Sequence, residues 1–244
     1  MRAETRHQLK QDRFSKVTLE AAENAAHWSE EHQGKLIAAT IAIIVIGVLA
    51  IGGWSYLNLQ DEKAGAELST AVRTLETPVR PAGMPPQPEY DSFASPAERA
   101  TAARKQFQAI VDKYPHTHTA GMARYFVGLT AAQLGDNASA ESNLRQAAGA
   151  SNAELAALGK FALASVYRGE NQGTQAVDLY KQLIAKPTLA VSKATAQLEL
   201  AELYESQQKP DEAKKLYDQV AKDDPSSEAA SFAQRRIAGL KQAQ

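Results

Sequence analysis

The residues best placed to do chemistry are His116 and His118, separated by Thr117, and the carboxylates Glu199, Glu202 and Glu205, spaced three apart. Two imidazoles this close could give a metal two nitrogen ligands, but a stable site needs a third or fourth, and no carboxylate lies near them in sequence. Tyr114-Pro115 comes just before, which places the pair in a surface turn. The glutamates fall on one helix face. Without a histidine partner or a shaped pocket, such a row is a solvated face and not a general acid/base pair. The 244-residue chain has no cysteine, which removes disulfides, thiolate metal sites and cysteine nucleophiles together. No phosphate-cradling glycine loop, HExxH or nucleophile elbow is present. Asn137-Ala138-Ser139 has the form of a glycosylation sequon but abuts the tight turn after Gly135-Asp136. The sequence therefore predicts no catalytic residue, no cofactor and no metal, and its function must come from its surface.

Composition narrows the class of partner. Lysine and arginine total 27 against 28 acidic residues, so no net positive field steers the chain onto nucleic acid. Its 44% hydrophobic and 23% charged content are those of a folded protein.

From Leu36 to Leu57 the chain runs LIAATIAIIVIGVLAIGGWSYL without a charge. At about 1.5 Å per residue, this stretch reaches roughly 30 Å, the thickness of a bilayer's hydrocarbon core. Trp54 and Tyr56 stand at one edge, where amphipathic rings favour the headgroup layer, and Lys35 closes the other. A cleaved leader competes with this reading, because Ala64-Gly65-Ala66 has a small-x-small form. The apolar run is too long for a leader, however, starts only at residue 36, and is separated from Ala64 by Asp61-Glu62-Lys63. Within the first 16 residues Arg2, Arg6, Lys10, Arg13 and Lys16 face only Glu4 and Asp12, whereas the segment after the apolar run opens with Asp61, Glu62, Lys63 and Glu67. The positive-inside rule then keeps the N-terminus in the cytoplasm and sends the rest across the membrane.

The expected organisation is a cytoplasmic segment (1–35), a transmembrane helix (36–57), a helical extension with a proline-rich linker (58–94) and a repeat domain (95–244). Val17, Ala21, Ala25 and Trp28 recur at helical spacing and predict an amphipathic helix over 17–33. Pro78, Pro81, Pro85, Pro86 and Pro88 predict an extended spacer or hinge. Ser95-Pro96-Ala97-Glu98 supplies an N-cap, a proline at the first helical position and a capping glutamate, so a helix starts there.

Repetition sets the fold. Ala103, Ala140, Ala176 and Ala213 recur at spacings of 37, 36 and 37 residues. Each is followed four residues on by Phe107, Leu144, Tyr180 or Tyr217, and three further by Ile110, Ala147, Leu183 or Val220; the units close near Pro115, Asn152, Pro187 and Pro225. Upstream of the last three alanines stand Gly128, Ala164 and Ala201 and, three later, Ala131, Tyr167 and Tyr204. The pattern resembles the tetratricopeptide repeat, a pair of antiparallel helices in which small residues let two backbones approach and large ones fill the gap between units. It departs from that family in period and at the family's tryptophan position, held here by Arg124, Lys160 and Gln197. The resemblance implies an all-α solenoid of three full pairs from Gly121 to Pro225. A lone second helix (Pro96 to Tyr114) precedes them, and a capping helix follows over Ser226 to Gln244.

In that family the first helix of each pair lines a groove. Carried onto this chain, the groove holds Met122, Tyr125, Leu129, Leu158, Phe161, Arg168, Leu198, Glu202 and Glu205, grading from apolar to acidic. Tyr125 and Leu129 stand where some members carry a basic clamp for a peptide carboxylate, so an extended or helical apolar segment suits this groove better. The layout of short N-terminus, single anchor and outward repeats is similar to YfgM-type ancillary subunits of the Sec translocon, which implies a bacterial inner-membrane protein with its repeats in the periplasm. The partners it implies are proteins: translocon subunits, a periplasmic chaperone and exported clients. Two alternatives stay open, a cell-envelope scaffold of the division or outer-membrane-assembly kind, and a cytosol-facing receptor if the orientation is reversed.

Overall fold

A computed structural model describes residues 32–85 and 91–242. The basic first 16 residues, most of the amphipathic helix expected at 17–33, and Pro86 and Pro88 lie outside the described residues. Among the described residues every regular element is an α-helix: α1 (Gln33–Glu76), α2 (Pro96–Lys113), α3 (His118–Gln133), α4 (Asn137–Ala148), α5 (Ala153–Gly169), α6 (Gly173–Ala185), α7 (Lys193–Ser206), α8 (Pro210–Asp223) and α9 (Glu228–Gln242). The chain divides into two compact units between Tyr56 and Leu57, within α1.

In the first unit α1 turns apolar side chains outward on every side: Ile37, Ile43, Ile46, Leu49, Ile51 and Trp54 are all more than half exposed. This is the one helix among the described residues that is long and apolar enough to cross a membrane.

The second unit is a row of helix pairs, each begun by a local cap. Ser95 Oγ accepts from Glu98 N at 3.1 Å, and the Glu98 carboxylate accepts from Ala94 N at 2.8 Å, a capping box displaced by one residue. Thr117, Asn152, Ser192 and Ser227 cap α3, α5, α7 and α9 through the same side-chain-to-backbone bond. Within three pairs the turn is made by one residue in the left-handed region, Gly135 (φ 76), Asn171 (φ 60) and Gln208 (φ 59). That short stop folds the second helix back against the first.

The repeated positions are the core. Ala103, Ala140, Ala176 and Ala213 are wholly buried, as are Phe107, Leu144, Tyr180 and Tyr217 four residues on. Two glycines on the first helices show how close the approach is: a methyl group at Gly128 would stand 2.5 Å from Leu144 Cγ, and one at Gly159 would stand 2.4 Å from the Ala148 backbone nitrogen. At the third of the divergent tryptophan positions, Gln197 is buried and donates to Gln219 Oε1 at 3.0 Å.

The expectation of a lone second helix before the first full pair is overturned. The C-terminal half of α1 packs against α2 and α3, burying Ala64 and Ala71 in one cluster with Ala103, Phe107 and Val127 and laying Leu68, Val72 and Leu75 along it. Glu67 accepts from Lys113 Nζ at 2.6 Å and from the Tyr114 hydroxyl at 2.8 Å, and Asp61 accepts from Thr119 N at 2.9 Å. Ala71 lies five residues before the end of its helix, as Gly128, Ala164 and Ala201 do in theirs, so residues 61–76 are the missing first helix.

The proline-rich segment is therefore inserted inside the first pair. Its base is closed by Phe93 N donating to Pro78 O and Arg80 N donating to Phe93 O, both at 3.0 Å, and by Arg80 Nη1 on Ser92 O at 3.0 Å. Both ends are held side by side, which a spacer or hinge does not do. α1 stops at Glu76 because Thr77, preceding Pro78, is disfavoured in helical backbone.

A fragment starting at residue 57 should melt in one cooperative step. A fragment starting at 95 uncovers Phe107 and Val111 and should be at least ~3 kcal/mol less stable, melting roughly 10 °C lower by calorimetry. Equal melting points would show that residues 61–76 contribute nothing to the array. The hydrogen bonds from Lys113 and Tyr114 hold the Glu67 carboxyl below its ordinary value of 4.5. Its contribution is thus present above 4.5 and lost as pH falls through the lower folded value. Glu67→Gln should flatten the acid limb of stability against pH in the 57–244 fragment.

Candidate functional site

The nine residues expected to line a groove sit on the first helices of three consecutive pairs, α3, α5 and α7, and all nine are half-buried. Each has one side on the core and the other turned out. They do not form one uniform trough but flank separate depressions.

Tyr125, Leu129 and Phe161 come together around a hollow of about 440 Å³ between α3 and α5, floored by Leu144 and Val166, with Ser165 on its wall. Ala132 and Ala162 also line it, and their small side chains leave the gap unfilled. Phe161 also meets the buried Tyr180 ring edge-on, with centroids 6.0 Å apart and planes at 74°. It is thus shared between hollow and core. Burial raises the pKa of both the Tyr125 and the Tyr180 phenol.

Met122 and Leu158 flank a second hollow of about 750 Å³, whose lining includes Leu68 of α1, His118 and Leu155. Leu198 borders none of these depressions and packs on the last core cluster, beside Tyr217 and Ala201.

Arg168, Glu202 and Glu205 line a third, polar cleft of about 1150 Å³ with Asn171, Lys209 and Arg236. Here the expected grading toward an acidic end changes character. Arg168 Nη1 stands 2.8 Å from Glu199 and 3.8 Å from Glu202, and Arg236 grips Glu205 through two nitrogens. The carboxylates are neutralised within the fold, leaving a mixed-charge lattice. These pairs are partly exposed, and each is worth at most about 1 kcal/mol.

Sequence spacing missed Leu68, because its helix reads as an extension of the apolar run, although Ala64, Leu68, Ala71 and Leu75 carry the helical period that marks a buried stripe. It also missed Arg236 and Lys209, whose part depends on which helices stand side by side. The arrangement offers apolar hollows one helix apart and a polar cleft, a surface for holding polypeptide. His116 and His118 belong to the turn before α3 and its first residue, and no group of three metal-ligating residues occurs among the described residues.

A family model described as a tetratricopeptide repeat-like domain matches residues 26–186, more than half of the 244 residues, and one described as a tetratricopeptide repeat matches 167–236. No curated protein matches the chain.

Core and hollow should separate in thermal melting. Ala176→Arg forces a charged side chain into a fully buried contact and should cost several kcal/mol. Leu129→Glu, able to turn its carboxylate outward, should cost about 1 kcal/mol. Phe161→Glu should fall between them, because it removes the contact with Tyr180. If Leu129→Glu melts as low as Ala176→Arg, Leu129 belongs to the core.

Proposed function

The chain belongs to the tetratricopeptide repeat-like family, whose repeats serve protein–protein interaction, and from that premise we propose that it is a membrane-anchored, periplasm-facing adaptor. It holds apolar segments of partner proteins beside the Sec translocon, assisting export or the folding of envelope proteins, and does no catalysis of its own. The observation that carries this reading is the hollow of Tyr125, Leu129 and Phe161, half-buried apolar side chains presented by the first helices of successive pairs.

Support for the anchor comes from α1. Its large apolar side chains between Ile37 and Leu57 are exposed, as lipid-facing residues would be. The family match begins at residue 26, before this helix, so helix and repeats are matched as one stretch. A cut at Ala64-Gly65-Ala66 would sever Asp61 from Thr119 and open the first pair, which favours a retained anchor over a removed leader. The outward orientation rests on the basic excess within the first 16 residues.

Absence of native cysteine makes the orientation directly testable. One cysteine at the exposed Ser226 should react with an impermeant maleimide once the outer membrane alone is permeabilised. Reaction only after inner-membrane lysis would reverse the orientation. In the same cells Leu129→Glu should keep the chain's abundance and lose most of its co-purifying translocon subunits; retention of those subunits would move binding away from this hollow.

A further inference from the structure

Two of the hollows belong to the same pair of helices. The one bordered by Met122 and Leu158 and the one bordered by Leu129 and Ser165 both lie between α3 and α5, at about 750 and 440 Å³. Met122 and Leu129 are seven residues apart on α3, and Leu158 and Ser165 are seven apart on α5. At about 1.5 Å per residue the hollows stand about 10 Å apart, two helical turns. The first turns of both helices line the larger hollow, through Thr119 and Glu154, so α3 and α5 run in the same sense and the hollows follow one line.

The larger hollow also carries a charge that the fold leaves unanswered. Arg104, Arg145, Arg168 and Arg236 each hold a carboxylate. Arg124, half-buried in the lining, has neither ion pair nor hydrogen bond among the described residues. The one carboxylate that lines the same hollow, Glu154, is taken by the backbone N–H groups of Ala190 at 2.7 Å and Leu189 at 3.3 Å. The remaining ionisable group there, His118, brings no negative charge.

We propose that the two hollows form one seat for an amphipathic helix of a partner protein. Two large apolar side chains, two turns apart, enter the hollows, and a carboxylate within a turn of one of them pairs with Arg124. This rests on the adaptor reading above and narrows its partner class. Spacing selects the helix. Residues seven apart share one stripe of a helix about 10 Å apart, whereas residues sharing a face of an extended chain stand about 7 or 13 Å apart. Backbone chemistry selects it again, because an extended segment brings N–H and C=O groups that need partners. The outward stripe between the hollows runs Met122, Tyr125 and Leu129 on α3 and Leu158, Phe161 and Ser165 on α5, and Ser165 already donates to Phe161 O at 3.2 Å. A helix satisfies its own backbone and asks nothing of that surface. Arg124 sets the sign, since a carboxylate gains a charge-assisted hydrogen bond there and a basic group is repelled.

The test uses the full-length chain in lipid nanodiscs and a fluorescein-labelled synthetic helix on an alanine–glutamine background. It carries leucines seven residues apart and a glutamate one turn outside each. Binding, followed by anisotropy against empty discs, should weaken about tenfold or more in Met122→Glu and in Leu129→Glu, each shown to be folded at the assay temperature. Leucines five residues apart, or a proline between them, should cost as much with the chain unchanged. Replacing the glutamates by glutamine should weaken binding several-fold in the parent chain and not at all in Arg124→Ala. Equal binding of the five-apart or the proline peptide overturns the helical seat. A glutamate effect that persists in Arg124→Ala overturns the part given to that arginine. A peptide held no better than by empty discs, in a chain that still crosslinks a partner through Leu129 in membranes, overturns the seat and leaves the adaptor reading standing. Loss of both overturns the adaptor reading as well.

Discussion

Two backbones can come this close only where neither carries much of a side chain, and that requirement organises the repeat unit. Ala71, Gly128, Ala164 and Ala201 on the first helices are matched by Ala103, Ala140, Ala176 and Ala213 on the second, all eight of them buried. The contact brings each pair to a fixed spacing, which lets Phe107, Leu144, Tyr180 and Tyr217 fill the room between pairs. Caps and left-handed turn residues set the length of each helix so that the small positions stay in step.

The same packing shapes the proposed binding surface. Tyr125, Leu129 and Phe161 of α3 and α5 stay half-buried, and their outer halves remain open around a hollow floored by Leu144 and Val166. Further along, the first helices present Arg168 and Glu202 in place of aromatic and aliphatic side chains, and ion pairing with Glu199 and Arg236 makes that end polar without giving it a strong sign. A partner engaged over both ends would need an apolar segment at one and polar groups at the other.

Helix content, the solenoid and the repeated core were legible in the sequence because each rests on periodicity: the alanine register runs at 37, 36 and 37 residues and survives a change of residue at the tryptophan position. The first helix of the first pair was not legible. Ala64, Leu68 and Ala71 follow a charge-free run in one unbroken helix, and the inserted residues 77–95 separate Ala71 from Ala103 by more than the usual interval. Periodicity fails where an insertion interrupts it. All nine residues expected in the groove lie on α3, α5 and α7, but the pairing of Arg168 and Glu205 depends on side-chain reach across neighbouring helices, which spacing does not encode.

The central claim is that partners are held by the outer halves of the first helices. Its most direct measurement is a photo-crosslinking profile in intact membranes, with a photoreactive residue placed singly at Met122, Leu129, Leu158 and Phe161 and, as a comparison, at the exposed second-helix positions Gln182 and Lys215. Adducts to the same partner from the first set, with none from the second, are the predicted result. Adducts confined to Gln182 and Lys215 would contradict it and move binding to the opposite helices.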